Sequence, residues 1–458
     1  MNTNVLMVSH VSVLFSQPHY HAWLRCSGTV GDAAFKELCD VGLIPVYVET
    51  SSPKYLVPLR RDSASSPTNN PDDTIIISIR AYERISPNAP HHDYIPIDRL
   101  HVTYCTNLTL ASVLVGEHTP VNLILSIEGL SEYEMRGLAL PNHFLSRNTR
   151  LNQLTFLPSS SSQRQQPHWS VIKEIPVGYL DWCTELPAVD LTPFSHVTEI
   201  RTWFLNCCGG LKTLDVSPLC NITTIPSWFM HRCDGLNHLN LSPLVNVHHI
   251  QAKFLNGCVG LQSIVLPPHV NKVDGGFMSQ CSNLTTLDLS PLKGVTAIQE
   301  DFLSSCTSLK HLDLTPLVSL ITIGSGFGIG CTGLESADLS AQGSLVEIGS
   351  AFLSRCSSLT DVVWKGTGEG DKEQWGGIGG RQLRKIGKSF MADCKRLKVV
   401  DFSSLENVEN VGKNFMLNCE LDRAAISQSK RLREAFSVNL KDFAEYRNEV
   451  FYFKNLKK

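Results

Sequence analysis

Apolar residues return at a fixed interval through the middle of the chain. An aromatic residue is preceded four positions earlier by Ile or Val and followed four positions later by a cysteine, as in Ile298, Phe302 and Cys306. Most of the cysteines are 25 residues apart. They are Cys183, Cys208, Cys233, Cys258, Cys281, Cys306, Cys331, Cys356, Cys394 and Cys419. Self-similarity at such a period indicates a repeat architecture.

Each repeat contains segments that predict short elements. Three residues after the cysteine a leucine opens the pattern L-x-x-L-x-L, except in the last unit, where Leu421 is only two residues after Cys419. The alternation of Leu312 and Leu314 with polar residues predicts a strand with one buried face. A Ser-Pro or Thr-Pro pair then ends the strand because proline has no N–H to donate. The segment 295–298 predicts a second short strand. The segment F-L-x-x-C predicts one helical turn with Phe302 and Cys306 on its inner face.

Such strands bury their apolar side only by stacking on neighbouring copies, with a spacing of about 4.8 Å between parallel strands. We therefore predict an α/β solenoid of about eleven repeats with a parallel sheet over residues 136–422. The first repeat has Asn148 in place of the cysteine. Insertions at 159–167 and 366–380 interrupt the repeat and are expected to form surface loops.

The first part of the chain does not keep the repeat. Leu43 to Val48 and Thr74 to Ile79 predict strands. The segments 101–115 and 121–127 are interpreted as degenerate repeats. We expect residues 1–135 to form a mainly-β N-terminal cap or small mixed domain.

The last part of the chain predicts a helix. Apolar residues follow helical spacing among charged ones at Leu432, Phe436, Leu440, Phe443 and Val450. An open end of a solenoid needs to be covered, so residues 423–458 are predicted to hold a C-terminal capping helix. An amphipathic helix that binds a partner is the alternative.

The unit L-x-x-L-D-L-S-P-L-x-x-V-x-x-I-x-x-x-F-L-x-x-C-x-x-L resembles the BspA-like class of leucine-rich repeats, found in bacterial and protist proteins. The 23-residue unit that begins at Leu261 is the best match. Ser-Pro-Leu follows the strand where the commoner leucine-rich repeat has Asn or Cys, so an asparagine ladder is not expected. BspA-like proteins are chiefly interaction proteins, many of them at cell surfaces, and the resemblance therefore implies binding.

Charge and apolar content narrow the function. The net charge of −3 provides no basic field, so nucleic acid is not an expected partner. No stretch reaches the roughly 18 apolar residues of a membrane-spanning helix. Without a phosphate loop, nucleophile elbow or metalloprotease motif, no catalytic site, cofactor or small-molecule substrate is expected.

The repeated cysteines predict buried free thiols. They form no C-x-x-C pair and match no zinc spacing, so no metal site is expected. A small buried apolar residue in each repeat is the simpler interpretation. Free thiols favour an intracellular compartment, the cytoplasm first, with the cell surface or an organelle as alternatives.

One outward position of the repeat is acidic in most units. Each carboxylate either accepts hydrogen bonds from nearby backbone or from Lys and His neighbours, or joins an acidic stripe that receives a basic partner. Lys212, Lys310 and Lys398 in the same strands would partly neutralise such a stripe. The candidate residues are Asp190, Asp215, Asp288, Asp313, Asp338 and Asp401.

Three tryptophans, Trp182, Trp203 and Trp228, lie in three successive repeats beside the inward aromatic or the cysteine. Such flanking positions are expected to be partly exposed. The tryptophans are either binding hot spots or residues covered by the 159–167 insertion or the N-terminal region.

These patterns predict a protein-binding scaffold or adaptor with a protein partner. The first alternative is a cell-surface adhesin of the BspA-like kind, which would require export together with disulfides or glycans. Its glycan acceptors would be Asn107, Asn221 and Asn283. The second alternative is an enzyme whose catalytic part lies in residues 1–135, where no known catalytic arrangement is recognisable.

Overall fold

The computed structural model describes residues 140, 142–149, 151–157, 168–364 and 380–439, together with the backbones of strands outside these ranges. The chain divides into two compact units, Met1–Asn221 and Ile222–Lys458. Both units are built from stacked parallel coils, and the predicted solenoid is confirmed, with about nine turns and little helix. No described helix has the length and apolarity to span a membrane. Both predicted insertions and Thr74–Ile79 lie largely or wholly outside the described residues.

The first unit begins with an antiparallel sheet of four strands in the order β2-β1-β4-β3. The predicted strand Leu43–Val48 is one of them. The strands are β1 Met7–Leu14, β2 His21–Cys26, β3 Leu43–Val48 and β4 Lys54–Arg60.

Parallel pairing starts at the segments interpreted as degenerate repeats. Strands β5 (Arg99–Tyr104), β6 (Asn122–Ile127) and β7 (Gln153–Leu157) form a parallel sheet in that order. Because β7 is the Leu154–Phe156 strand of the first full repeat, coils precede that repeat. The same unit pairs β8 (Glu174–Ile175) with β10 (Glu199–Ile200), and β9 (Ala188–Val189) with β11 (Thr213–Leu214).

In the second unit the longest sheet comes from the V-x-x-I segments. Eight strands of two residues pair in parallel, each with its Ile or Val matched to that of the next coil, as in Ile298 to Ile323. They are β12 Thr224–Ile225, β14 His249–Ile250, β16 Lys272–Val273, β17 Ala297–Ile298, β19 Thr322–Ile323, β21 Glu347–Ile348, β23 Lys385–Ile386 and β25 Asn410–Val411.

The leucine strands of the second unit form shorter sheets. β13 pairs with β15, and β20 lies between β18 and β22. The Ser-Pro-Leu segments 217–219, in the first unit, and 290–292, in the second, form short 3-10 turns. The strands are β13 His238–Asn240, β15 Ser263–Val265, β18 His311–Asp313, β20 Ser336–Asp338, β22 Asp361–Val363 and β24 Val399–Phe402.

The F-L-x-x-C segment is not the predicted helical turn, and that prediction is wrong. Around Phe302 the φ angle is positive at Asp301 (57°), Leu303 (54°) and Ser305 (61°). The N–H of each of these three residues leaves its own coil: Asp301 and Ser305 donate to the following coil, at 2.8 and 2.7 Å, and Leu303 donates to the O of Phe277 in the preceding coil at 2.9 Å. A helix would have directed these N–H groups along one coil, so the turn joins coils instead.

Aromatic side chains form a buried column in each unit, as predicted. In the first unit Tyr179 stacks on Phe144 at 5.6 Å and on Phe204 at 5.8 Å between ring centroids. In the second unit the stack runs from Phe229 to Phe415 in steps of 4.7–6.0 Å. Phe352 and Phe390 stack at 5.4 Å, so the insertion between them leaves the stacking of the coils intact.

The column cysteines have a role that the sequence did not reveal. The thiol of Cys306 donates to the O of Met278 in the preceding coil at 3.2 Å, and Cys258 and Cys419 make the same bond at 3.0 Å. All twelve cysteines of the described residues are free. Cysteine therefore both fills the core and connects coils through its weak S–H donor.

The C-terminal helix is confirmed, but it is shorter than the apolar spacing suggested. Helix α1 (Lys430–Asn439) buries Leu432 and Phe436, and the ring of Phe436 contacts that of Phe415 at 5.2 Å. Phe443 and Val450 lie instead in strands β27 (Phe443–Arg447) and β28 (Val450–Phe453). These join β24 and β26 (Arg423–Ile426) in the order β24-β26-β28-β27.

We expect Phe302→Ala to lower the free energy of unfolding by about 3–5 kcal/mol, because it removes a fully buried ring stacked on both sides. Urea unfolding followed by tryptophan fluorescence measures the change. Val318→Ala is the control, since Val318 is 56% exposed and its truncation should change stability by less than about 0.5 kcal/mol. Equal stability of the two variants would contradict a shared aromatic core.

We expect the column thiols of the folded protein to resist alkylation. Burial raises the pKa of Cys208 and Cys356, and only the thiolate is a good nucleophile. Cys220 is partly exposed and should react with iodoacetamide before the column thiols do, as peptide mass spectrometry would show. Labelling of Cys208 as fast as Cys220 without denaturant would show that the column is open to solvent.

Candidate functional site

The acidic candidate residues cap the chain reversal after the leucine strands. Asp313 accepts hydrogen bonds at 2.8 Å from the N–H and 2.6 Å from the hydroxyl of Thr315, two residues later. Asp215, Asp288 and Asp401 do the same with the serine two residues on. Such Asx turns hold the Ser-Pro or Thr-Pro turn in place.

The remaining members of this position follow the same geometry. Asp190 accepts from both the N–H and the hydroxyl of Thr192, and Asp338 accepts from the N–H of Ser340 at 2.8 Å. Asn240 replaces a carboxylate and still accepts from the N–H of Ser242 at 3.0 Å. The contacts therefore match the interpretation in which each carboxylate accepts local backbone hydrogen bonds. A role in receiving a basic partner stays a prediction.

The hydrogen bonds of this turn lower the pKa of Asp215. Hydrogen bonds from the backbone N–H and then the hydroxyl of Ser217 hold the pKa of the Asp215 carboxyl below its usual value. Hydrogen bonds to the charged form favour that form. The turn is therefore more stable when Asp215 is ionised.

The first unit exposes two of the three candidate tryptophans. Trp182 is 45% and Trp203 is 40% exposed. They lie on neighbouring coils, Trp182 three residues after Tyr179 and Trp203 one residue before Phe204. Both have positive φ, 61° and 64°. The 159–167 insertion lies outside the described residues, so the alternative in which it or the N-terminal region covers the tryptophans stays a prediction.

The residue two positions after each column aromatic is polar in this part of the chain. It is Asp181 after Tyr179 and Asn206 after Phe204. The side-chain N–H of Asn206 donates to Asp181 at 2.7 Å. Burial raises the pKa of Asp181, while the hydrogen bond from Asn206 opposes that rise. The outer face of the turns therefore has a buried polar strip flanked by more exposed positions.

In the second unit the same strip is the bottom of a groove of about 400 Å³. Residues one before and three after the column aromatics form its two walls. One wall holds Trp228, Lys253 and Asp301, and the other holds Arg232 and Gln280. We call this feature the turn-face groove.

The floor of the turn-face groove is polar. Each floor residue lies two positions after a column aromatic, in four successive coils. Asn256 and Ser279 are buried, at 8% and 4% exposure. The floor residues are His231, Asn256, Ser279 and Ser304.

The pKa of His231 is affected by the positive charges in this groove. Burial lowers the pKa of His231, and the positive charges of Arg232 and Lys253 lower it further, while hydrogen bonding with Asn256 and the charge of Asp234 oppose the shift. Both cations therefore act on one floor residue. Trp228 packs edge-on against the same imidazole, with 4.8 Å between ring centroids.

The cations of the groove differ from those on other faces. Lys310 pairs with Glu335 at 2.7 Å and Lys385 pairs with Glu347 at 2.6 Å, in each case between neighbouring coils. Arg232 and Lys253 have no carboxylate within ion-pair distance among the described residues. The described ranges also contain no group of three His, Cys, Asp or Glu side chains that could hold a metal ion.

The repeat region matches a known family across more than half of the chain. The BspA type leucine rich repeat region occurs in six copies, over residues 169–285, 276–367 and 379–455. The chain belongs to the BspA-type leucine-rich-repeat family. The resemblance inferred from the repeat unit is thereby confirmed. No curated protein matches the chain.

Solved structures of leucine-rich-repeat proteins are similar to this BspA-type chain at low identity. One from Bacteroides ovatus is 15% identical, with 88% of this chain and 97% of the other covered and a TM-score of 0.42. A leucine-rich cell surface protein from Faecalibacterium prausnitzii is 16% identical, with 73% and 98% covered and a TM-score of 0.35. One from Eubacterium ventriosum is 12% identical, with 82% and 95% covered and a TM-score of 0.36.

Among the groove residues of this BspA-type chain, the sequence patterns single out Trp228 but not His231, Arg232 or Lys253. A signal is present, because the residues one before and three after each column aromatic vary from repeat to repeat and are often polar, while the column itself is conserved within the chain. That Trp228, Arg232 and Lys253 line one groove becomes clear only when the coils are stacked.

We expect Asp215→Asn to change how stability depends on pH. The folded pKa of Asp215 is depressed, so its contribution is present above the unfolded value of about 3.9 and is lost as pH falls through the folded value. Asparagine keeps the acceptor, as Asn240 does, but not the titration. Urea midpoints of wild type and variant should therefore converge as pH falls from 5 to 2.

Ser217→Ala is the matched comparison, because it removes the hydroxyl donor and keeps the N–H donor. It should reduce the pH dependence without abolishing it. A difference between wild type and Asp215→Asn that is constant from pH 5 to pH 2 would contradict the Asx-turn explanation.

Proposed function

We propose that this BspA-type protein is a non-catalytic repeat scaffold or adaptor that binds a protein partner through the turn face of its first unit. Repeat solenoids present broad surfaces without a deep cavity and suit macromolecular partners. The observation that carries the proposal is the exposed pair Trp182 and Trp203. Tryptophan is enriched among residues that dominate binding energy in protein interfaces.

The solvent exposure of the two tryptophans supports a role outside the core. Positive φ does not distinguish them, because Lys253 and Arg355 have the same conformation at the corresponding repeat positions. The distinguishing feature is the large aromatic surface that each ring leaves in solvent, at 45% exposure for Trp182 and 40% for Trp203.

We further propose a reducing, intracellular location for the protein. The thiols in the core donate to backbone carbonyls of neighbouring coils, for example Cys331 to Leu303 at 3.1 Å. A disulfide between column cysteines would remove these donors. Thiols that stabilise coils are therefore best kept in a compartment where they stay reduced.

A cell-surface adhesin is the second candidate function. Two N-x-T acceptors, Asn221 and Asn283, are exposed on the described surface. The side-chain N–H of Asn221 donates to the O of Ser195 at 3.0 Å, and a glycan on that nitrogen would leave one N–H to make this bond. A mass shift after glycosidase treatment of the native protein would favour the adhesin over the intracellular scaffold.

We expect the double variant Trp182→Ala/Trp203→Ala to lose its partner. The full chain is used as bait in a lysate of its source cells, and quantitative mass spectrometry with crosslinking identifies bound proteins. Each truncated hot spot should cost about 2 kcal/mol, which lowers affinity roughly 30-fold per residue. The partner should therefore be enriched by wild type and lost with the variant.

Val318→Ala/Ile321→Ala is the matched control, since both residues are exposed apolar side chains, at 56% and 44%, outside the tryptophan pair. This variant should bind the partner as wild type does. Crosslinks that fall only on residues 1–135, or equal loss of binding in both double variants, would refute docking on the turn face of the first unit.

A further inference from the structure

We infer that the turn-face groove of the second unit binds an acidic saccharide, with its carboxylate or sulfate between Arg232 and Lys253 and a sugar ring against Trp228. This assigns a second binding site to the chain and does not depend on the proposed protein partner. The groove lies across four coils, about 14 Å along the stack at the spacing of parallel strands. Its volume of about 400 Å³ lies in the range of ligand pockets.

The two cations are directed into the groove by the coils that follow them. The stem of Arg232 lies against Gly257, where a Cβ would be 3.0 Å from the Arg232 Cγ. The stem of Lys253 lies against Gly276, where a Cβ would be 2.9 Å from Nζ. Both glycines have positive φ, 78° and 74°. Any side chain there would displace the cation, so the two glycines set its direction.

The two cations stand on opposite walls, and both act electrostatically on His231 between them. An anionic group placed over this floor residue would lie between two positive charges that have no carboxylate partner within the described part of the chain. Arginine provides planar paired donors for carboxylate or sulfate, and lysine provides a compact charge. The groove end near Trp228 is therefore an anion site.

The rest of the groove suits hydroxyl groups. Asn256, Ser279 and Ser304 on the floor and Gln280 on the wall offer amides and hydroxyls that both donate and accept. Asp301 adds an acceptor at the end away from the cations. Trp228 is half-buried and presents the one large aromatic surface of the groove, which can pack against the C–H face of a sugar ring.

An acidic peptide fits the groove less well. Peptides commonly bind through free backbone groups of an exposed sheet edge, but the wall N–H groups are already used between coils. Arg232 donates to Asn256, Lys253 to Gly275 and Gln280 to Ser304, at 2.9, 2.8 and 2.6 Å. The groove also lacks the apolar pockets that hold peptide side chains.

We test the inference by isothermal titration of the full chain with four probes. These are a heparin octasaccharide, a hyaluronan octasaccharide, a neutral maltooctaose and an octaglutamate peptide. At least one acidic saccharide should bind 10-fold or more tightly than maltooctaose and octaglutamate. The heparin and hyaluronan arms distinguish sulfate from carboxylate as the recognised group.

Trp228→Ala and Arg232→Ala/Lys253→Ala should each weaken saccharide binding 10-fold or more. The matched control is Arg355→Ala. Arg355 occupies the same repeat position as Arg232 with similar positive φ, but it does not line the groove. This control should bind within 2-fold of wild type.

A second measurement uses the wild-type protein alone, so it does not depend on the folding of any variant. A bound acidic saccharide should slow acetylation of Lys253 by an activated ester at least 5-fold and leave the exposed Lys293 unchanged. Three results would overturn the inference: no preference for acidic saccharides, octaglutamate binding as tight as saccharide, or protection of Lys293 equal to that of Lys253.

Discussion

The turn after each Ile strand is not helical, so alternate backbone N–H groups do not bond within the coil. They donate instead to carbonyl oxygens of the neighbouring coils. Positive φ at alternate residues directs these groups up and down the stack, as at Asp301 and Leu303. Buried N–H groups left without partners would be costly. Coils must therefore lie in register at about the spacing of parallel strands. The side-chain columns and the turn-face groove follow from that register.

Because the coils are stacked in register, a residue that recurs in each repeat forms a continuous column of side chains. The rings from Phe277 to Phe352 stack in successive coils at 4.7–5.4 Å because each ring leaves its coil at the same height and angle. The thiol one turn later donates across the same gap, as in Cys306 to Met278. In the first repeat Asn148 fills this position and donates to the O of Leu145 in its own coil at 2.8 Å, whereas a smaller apolar residue would have no donor.

The backbone of the turn is the same in every coil, but the residues on its outer face differ from coil to coil. Positions one before and three after the column aromatics lie on the outer face of the turns, and their residues vary from coil to coil. Trp182 and Trp203 make this face aromatic in the first unit, whereas Arg232 and Lys253 make it basic in the second. The acidic positions after the leucine strands are different, because each carboxylate is occupied by the turn that it caps.

The sequence by itself determined the repeat, the columns and the strands, because burial imposes a period that can be counted from Ile298, Phe302 and Cys306. Tertiary structure alone decided the backbone of the turn, since Leu303 and Ser305 at positive φ have no local sequence signature. It also decided the groove, because Arg232 and Lys253 are 21 residues apart and approach one imidazole only when coils stack. The period of the sequence shows which residues each coil buries. The contacts between coils depend on the φ angles of the turn, which the period does not reveal.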